Sequence, residues 1–176
     1  MSDDESDPIL RHADDVWRLV YRLLNDPEDA RECYQQTLLE AVQLRRAEVT
    51  HWPALLKRIA TRRAMDTLRS RYRRRRLFAD VEFPEPSLDS PPGSELEFAE
   101  LREHVRQVLV TLPASQAEAF ILRHLEQLTT DEIGEQLGLS TSHVRVLIHR
   151  AMKCVRESLP ASLRPVSTLA EETSDE

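Results

Sequence analysis

Residues 52–76, WPALLKRIATRRAMDTLRSRYRRRR, predict a long amphipathic helix around which the rest of the chain is organised. Pro53 suits the first turn of a helix, and no helix-breaking residue follows it within the tract. At about 100° per residue, one stripe is apolar and comprises Trp52, Leu56, Ile59, Ala60, Ala64 and Leu68. Another face carries a series of guanidinium groups, which we call the arginine ladder: Arg58, Arg62, Arg69, Arg73 and Arg76. The stripe is predicted to join a core, and the ladder to meet solvent or an anionic partner.

The positive charge of the chain is concentrated in this region. The formal net charge is -7, yet residues 45–76 carry 12 basic and 2 acidic side chains. Residues 1–44 carry 4 basic and 11 acidic side chains, and residues 77–176 carry 8 and 18. A basic island between acidic flanks favours binding to nucleic acid or to another acidic surface. A solvated helix face followed by a basic tail or a targeting signal is the simpler interpretation of the same pattern.

Length and composition limit the class of protein. With 176 residues, 40% hydrophobic side chains and 3 Gly, the chain is sized for one domain or two small ones. No apolar run is long enough for a membrane span, and the acidic N-terminus is unlike a secretory signal. The two cysteines, Cys33 and Cys154, fall at helical core positions without partners at metal-ligand spacing. We therefore expect a cytoplasmic protein with no metal and no other cofactor.

Two helices are predicted before the arginine-rich helix. Asp7 and Pro8 begin one that covers about residues 8–25, because Asp caps a helix N-terminus and Pro suits its first turn. Asp26 and Pro27 repeat this signal and begin a second helix of about residues 27–46. In both segments apolar side chains recur at helical spacing.

The chain is predicted to be all-α, with two small helical domains. Residues 8–76 form the first domain, and residues 95–159 form the second. Between them, residues 77–94 hold four prolines among acidic residues and serines, which predicts a linker. Residues 1–7 and 160–176 are predicted to be disordered acidic tails.

Two helices are predicted at the start of the second domain. Ser94-x-x-Glu97 is a capping-box pattern at the start of the first, and Leu112-Pro113 ends that helix. Ser115-x-x-Glu118 is a second capping-box pattern, which predicts the start of the next helix.

The most diagnostic local pattern follows. Thr129-x-x-Glu132 predicts a third capping box before a short apolar helix. Gly138-Leu139-Ser140 then predicts a tight turn before a helix over about residues 141–159. Two helices joined by a short Gly-containing turn indicate a helix-turn-helix, and a plain helical hairpin in a bundle is the alternative.

The last helix has one apolar and one polar face. The apolar face comprises Val144, Leu147, Ile148, Ala151 and Val155. The opposite face carries Ser142, Arg145, His149, Lys153 and Arg156. Hydrogen-bonding and basic side chains on an outward face suit the major groove of DNA, where Arg pairs with guanine and other cations contact phosphates. Val146 borders this face, within reach of a thymine methyl group.

In these motifs the sequence resembles the sigma factors of bacterial RNA polymerase, of the two-module extracytoplasmic-function (ECF) type. Residues 29–38, DARECYQQTL, look like the family's Asp-Ala-x-Asp-x-x-Gln-Glu-x-Phe stretch, which docks on the polymerase clamp. Residues 52–76 are similar to the helix that melts the promoter and reads the minus-ten element. Residues 112–151 look like the C-terminal module, which reads the minus-thirty-five element. The resemblance covers about residues 8–158, in the order of the family's parts.

The resemblance implies a factor that directs bacterial core RNA polymerase to specific promoters and assists DNA melting. It implies core RNA polymerase and promoter DNA as partners, with an anti-sigma factor as a further candidate and no small-molecule substrate. The implied polymerase-binding residues are Asp29, Glu32, Gln35, Gln36 and Leu38. The implied DNA-binding residues are the arginine ladder together with Ser142, His143, Arg145, Val146, His149, Arg150 and Lys153.

Some of these positions differ from the family pattern. Glu32 replaces the usual Asp, Gln36 an acidic residue and Leu38 a common Phe in the clamp-docking stretch. Arg62 stands at a position that is usually Asn, and Gly134 at one that is usually Ala. The promoter sequence that this chain reads therefore cannot be transferred from relatives.

Two other classes of function compete with this interpretation. A stand-alone helix-turn-helix regulator would account for residues 95–159, but would leave the arginine ladder and the second helix without a role. A nucleic-acid enzyme would need a nucleophile with its base, or carboxylates clustered around a metal. The six histidines are scattered over separate elements and form no metal-ligand motif. We therefore expect a protein that acts by binding and is no enzyme.

Overall fold

The structure of the protein is a computed structural model that describes residues 7–44, 49–78 and 95–159. Within these ranges the chain forms eight α-helices and no β-strand, which confirms the all-α class. The predicted tails and most of the predicted linker lie outside the described residues. The helices are α1 (Pro8–Arg11), α2 (Ala13–Leu24), α3 (Pro27–Gln43), α4 (Trp52–Phe78), α5 (Glu95–Thr111), α6 (Ala114–His124), α7 (Thr130–Leu137) and α8 (Thr141–Ser158).

The helix predicted over residues 8–25 is wrong in one respect, because the structure divides it at His12. The N–H of His12 donates to the carbonyl oxygen of Ile9 at 3.3 Å and ends α1, while its own carbonyl accepts from Val16 in α2. Asp14 and Asp15 lie in the first turn of α2, where carboxylates stabilise the positive end of the helix dipole. This second start signal explains why the segment forms two helices.

The start of α3 follows the predicted chemistry. The Asp26 side chain accepts from the backbone N–H groups of Glu28 (3.0 Å) and Asp29 (2.9 Å). These bonds and the helix N-terminus lower the pKa of Asp26, with the bond from Asp29 as the largest cause. The helix ends at Gln43, three residues earlier than expected, because Leu44 turns to an extended conformation (φ -76°, ψ 149°).

Helix α4 is the central element of the fold. Five of the six side chains of the predicted apolar stripe are buried, and Trp52 is half-buried against the core. The helix continues through Phe78, so the first two residues of the predicted linker are helical. On one side α4 packs against α2 and α3, and on the other against α5, α6 and α7.

Two hydrophobic clusters form the core, and α4 contributes to both. The larger cluster joins helices of both predicted domains, since Leu24 and Met65 belong to it together with Leu109 and Phe120. The smaller cluster lies under the helix-turn-helix, where Ala54 of α4 is buried with side chains of α6, α7 and α8. The described parts of the two predicted domains are therefore in direct apolar contact.

The start of α6 differs from its prediction. The pattern Ser115-x-x-Glu118 forms no capping box, because α6 begins at Ala114 directly after Pro113. Pro113 has an extended conformation and its carbonyl oxygen accepts from the backbone N–H of Ala117 at 3.1 Å. Ser115 consequently lies within the first turn. Ser94, which was predicted to cap α5, lies outside the described residues.

Candidate nucleic-acid and polymerase-binding surfaces

Helices α7 and α8 form the predicted helix-turn-helix. Thr129 caps α7 by the expected reciprocal bonds: its Oγ1 accepts from the N–H of Glu132 at 3.2 Å, and Glu132 Oε2 accepts from the N–H of Thr129 at 2.8 Å. Gly138 ends α7 in the left-handed region (φ 66°), which favours glycine. Ser140 then caps α8 by accepting from the N–H of His143. Local capping at three points thus sets the angle between the two helices.

Gly134 is needed where α7 meets this turn. The N–H of Leu139 donates to the carbonyl oxygen of Gly134 at 2.9 Å, so the two backbone segments are very close. A Cβ atom at position 134 would lie 2.7 Å from the Leu139 carbonyl oxygen. The glycine that departs from the family's usual Ala therefore matches a tighter turn in this chain.

The capping box gives a pH-dependent contribution to stability, which is our first prediction. The bonds from Thr129 lower the pKa of Glu132 below its ordinary value of 4.5, so ionised Glu132 stabilises the fold above that pH. Thr129→Ala should reduce the free energy of unfolding by about 1 kcal/mol near neutral pH. The difference from wild type should shrink as the pH falls below 4.5 and Glu132 becomes protonated.

Urea denaturation followed by circular dichroism at several pH values measures this effect. Glu132→Gln is the matched control, because an amide oxygen still accepts both bonds but does not titrate in this range. A wild-type difference that stays constant from neutral to acidic pH would contradict the assignment to Glu132.

The outer face of α8 is exposed, as predicted. Ser142, His143, Arg145, Val146, His149, Arg150 and Lys153 are all exposed, while Val144, Leu147, Ala151 and Val155 are buried beneath them. Two contacts involve this face: Ser142 lies 3.1 Å from the hydroxyl of Ser140, and Lys153 lies 3.8 Å from Glu157. The structure thus brings the predicted residues of α8 together on one open surface, of the length and chemistry that a major groove accepts.

The arginine ladder is divided into two parts by the packing of α4. Arg73 and Arg76 are exposed. Arg58, Arg62 and Arg69 are half-buried on the side that faces α6, and the buried Nε of Arg58 has no hydrogen-bond partner among the described residues. The prediction of a fully open ladder is therefore wrong for this arrangement of the chain.

The half-buried arginines also have partners within the protein. Arg62 is hydrogen-bonded and paired with Glu40 of α3, and Arg63 donates to the same carboxylate at 2.9 Å. Burial alone would raise the pKa of Glu40, but the bonds from the two guanidinium groups outweigh it and lower the pKa. Arg69 donates to the carbonyl oxygen of Leu112 at 3.3 Å. Arg62 thus ties α3 to α4, and Arg69 ties α4 to the end of α5.

The predicted polymerase-binding residues lie along α3, with different degrees of exposure. Glu32, Gln35 and Gln36 are exposed, whereas Asp29 and Leu38 are half-buried. Asp29 accepts from Arg71 Nε at 3.1 Å, and Leu38 packs against the larger hydrophobic cluster. The prediction missed two neighbours, Leu39 (60% exposed) and Val42 (59% exposed), which extend the exposed face towards the end of the helix. Exposed apolar side chains next to amides suit a protein partner.

Sequence reasoning also missed the ionic contacts that join the two halves of the molecule. Arg106 of α5 is buried, and its Nε donates to the carbonyl oxygen of Leu23 at the end of α2 at 2.6 Å. Glu126, which follows α6, is paired with Arg22 of α2 and lies 3.2 Å from Lys57 of α4. A single signal was available for Arg106, its position directly beside the apolar residues of α5.

Neither a metal site nor a membrane span is found in the residues that the structure describes. No group of three or more His, Cys, Asp or Glu side chains in these ranges could hold a metal ion. No helix within the described parts of the chain is long and apolar enough to cross a membrane.

The fold and its exposed surfaces define a helix-turn-helix DNA-binding protein with a second, arginine-rich helical part. Sequence profiles of known families agree with both parts: sigma-70 region 2 matches residues 9–74, and sigma-70 region 4 matches residues 102–155. The chain belongs to the sigma factors of bacterial RNA polymerase, and within them to the ECF type. It is therefore a transcription initiation factor that directs core RNA polymerase to specific promoters.

Individual relatives support this assignment. The chain is similar to the RNA polymerase sigma-E factor of Streptomyces coelicolor, with 31% identity over 84% of this chain and 81% of that protein. It is 30% identical to the sigma-E factor of Streptomyces avermitilis, over 83% of this chain and 79% of the relative. The ECF sigma factor SigE of Mycolicibacterium smegmatis is 29% identical over 86% of this chain, which spans 60% of that longer protein.

A solved structure shares the fold. The sigma factor RpoE in complex with the anti-sigma factor NepR, from Bartonella quintana, superposes with a TM-score of 0.54 at 17% identity. The match covers 89% of this chain and 97% of that one. At this identity the likeness shows the all-α architecture.

Proposed function

We propose that three surfaces divide the work of this sigma factor. The exposed face of α3 binds core RNA polymerase, the arginine ladder contacts promoter DNA where it melts, and the outer face of α8 reads the upstream promoter element. The observation that carries the proposal is that all three surfaces occur in one chain in the family's order, with the faces of α3 and α8 both exposed.

In this proposal, residues 8–76 and 95–159 act as two functional domains joined by residues 77–94. The α8 face recognises duplex DNA through base edges and phosphates. The ladder binds the phosphates of DNA that is being opened, where strand separation leaves flexible, highly charged single strands. The chain supplies binding energy and performs no bond chemistry itself, and we place it in the cytoplasm, where core polymerase and promoters are found.

The polymerase surface is centred on Glu32, Gln35 and Gln36. These polar side chains are exposed, and Leu39 and Val42 add apolar area beside them. Central interface residues of this kind typically provide most of the binding energy. Leu38 contributes through the packing of α3 rather than by direct contact, because its side chain is half-buried in the core.

Capture of a bacterial core RNA polymerase by the immobilised protein tests this surface, and it is our second prediction. The double variant Glu32→Ala, Gln35→Ala should bind core polymerase about tenfold less tightly, equivalent to about 1.4 kcal/mol. The matched control is Arg102→Ala, Glu135→Ala, which also removes two exposed polar side chains but from α5 and α7. The control should capture polymerase as the wild type does.

Run-off transcription on genomic fragments completes the test. Holoenzyme with wild-type protein should give transcripts from discrete start sites, and the α3 variant should give fewer. Failure of the wild-type protein to capture polymerase, combined with footprints on duplex DNA by the protein alone, would support the alternative of a stand-alone helix-turn-helix regulator. The comparisons, which match both sigma regions, give that alternative no support.

An anti-sigma factor is a further candidate partner. The relative of known structure from Bartonella quintana is bound to one. Addition of a candidate anti-sigma protein to the capture experiment would test this directly, because a protein of that kind should reduce the amount of polymerase retained.

A further inference from the structure

The interface between α4 and the α5–α6 pair is built from polar contacts as well as apolar ones. Arg106 reaches from α5 to the last carbonyl groups of α2, and donates to Leu23 at 2.6 Å and to Arg22 at 3.1 Å. Tyr72 of α4 donates to Glu103 of α5. These bonds hold α5 against α2 and α4 on the side of the molecule opposite α3.

Helix α6 covers the first half of the arginine ladder. Ala54 of α4 is fully buried in one cluster with Ala119 and Leu122 of α6, which places the two helices in close contact. Glu118 of α6 is half-buried here. Its carboxylate lies among the ladder residues Arg58, Arg62 and Arg69, which interact with it electrostatically.

The electrostatics of this interface are unbalanced. Burial raises the pKa of Glu118 above its ordinary value, and the nearby Arg58, Arg62 and Arg69 only partly oppose that effect. Three guanidinium groups therefore share this interface with one poorly solvated carboxylate, and the Nε of Arg58 is left without a partner. Buried charge that is incompletely paired makes an interface that an external anion can displace.

The other two functional surfaces do not take part in this packing. The main packing partners of α3 are α1, α2 and α4. The outer face of α8 is exposed along its length. The arrangement thus leaves the proposed polymerase-binding and duplex-reading surfaces accessible while it covers half of the ladder.

From this geometry we propose that α6 is an internal competitor of nucleic acid, with Glu118 in the place of a phosphate group on Arg58, Arg62 and Arg69. The inference deepens the proposed function, on which it rests, by giving the ladder a closed and an open state. In the closed state the free protein binds single-stranded DNA weakly. Separation of α6 from α4 on the polymerase exposes the ladder where melted DNA must be held.

Glu118→Gln tests the competition in the protein without polymerase. The probe is a fluorescein-labelled single-stranded DNA of mixed sequence, which offers phosphates but no duplex for α8. Loss of one ion-pairing carboxylate should raise the affinity for this probe by about fivefold. Glu135→Gln is the matched control, because it makes the same charge change at an exposed position of α7 and should alter the affinity less than about twofold.

A cross-link between α4 and the end of α6 supplies the converse experiment. Lys57 and Glu126 lie in contact across the interface, so Lys57→Cys, Glu126→Cys in a Cys33→Ala, Cys154→Ser background accepts a short reducible bismaleimide. The cross-linked protein should lose single-strand binding, and reduction of the linker should restore it. The same protein before cross-linking is the control for the substitutions themselves.

The outcomes separate this inference from the proposed function. Equal effects of Glu118→Gln and Glu135→Gln, or unchanged single-strand binding after cross-linking, would overturn the closed state. Neither result depends on polymerase. Failure of polymerase capture by the wild-type protein would instead overturn the role of α3, and would leave the competition between α6 and DNA to be judged from the binding data alone.

Discussion

Arg106→Ala is expected to lower the free energy of unfolding by about 3 kcal/mol, because it removes charge-assisted hydrogen bonds from a buried site. The guanidinium group donates to the carbonyl oxygens of Leu23 and Arg22, which end α2 and have few other donors in reach. A third contact joins it to Glu103 at 3.3 Å. Truncation leaves the carbonyl groups unpaired and a gap between α2 and α5.

Equilibrium denaturation in urea, followed by circular dichroism, measures the loss. Arg102→Ala is the matched control, since Arg102 lies one helical turn earlier on α5 and is exposed, and its removal should change stability by less than about 0.5 kcal/mol. A similar small change for Arg106→Ala would mean that solvent satisfies the α2 carbonyl groups. A transition that separates into two steps would instead show that Arg106 couples the two parts of the molecule.

Much of the fold was predictable because the signals are local. The helical period of residues 52–68 places the apolar stripe on one side of α4, and that side is buried for Leu56, Ala60, Ala64 and Leu68. The Asp26 cap, the Thr129 capping box and the left-handed Gly138 depend on neighbours within four residues. Short-range chemistry of this kind is fixed before any tertiary contact forms.

The errors arose where two local signals compete or where a distant partner decides. His12 divides the first predicted helix because Asp14 and Asp15 begin a new one. Ser115 lost its predicted capping role to the backbone of Pro113, which accepts the first helical bonds of α6. Local pattern alone ranks such alternatives poorly.

The candidate site shows the same limit. Helical spacing placed Arg62 and Arg69 on one face, but spacing does not reveal that Glu40 of α3 or the carbonyl of Leu112 waits opposite them. Likewise Glu118 carried no signal beyond a wrongly predicted capping box, although its position beside three arginines depends wholly on how α6 packs. Contacts between residues far apart in sequence are set by the assembled core, which no periodicity encodes.

Substitutions on α8 should separate base reading from phosphate binding, and this is the prediction with the largest expected effect on DNA recognition. Arg145 and Lys153 are both exposed on the outer face, about two turns apart. Arg145 lies in the first part of α8, the part of a recognition helix that reaches base edges. Lys153 lies farther along, where a long cation reaches the sugar-phosphate backbone.

Arg145→Ala in holoenzyme should weaken binding to a promoter identified by run-off transcription by about 5- to 150-fold, equivalent to about 1–3 kcal/mol, and should relax the preference at one base pair. Lys153→Ala should weaken all sequences nearly equally and reduce the slope of log K against log salt by about 1. Fluorescence anisotropy with promoter variants over a range of salt concentrations distinguishes the two, with Arg102→Ala as the control. If Arg145→Ala lowered the affinity for every sequence alike and reduced the salt slope, Arg145 would bind phosphate, and base recognition would have to come from His143, Val146 or His149 on the same face.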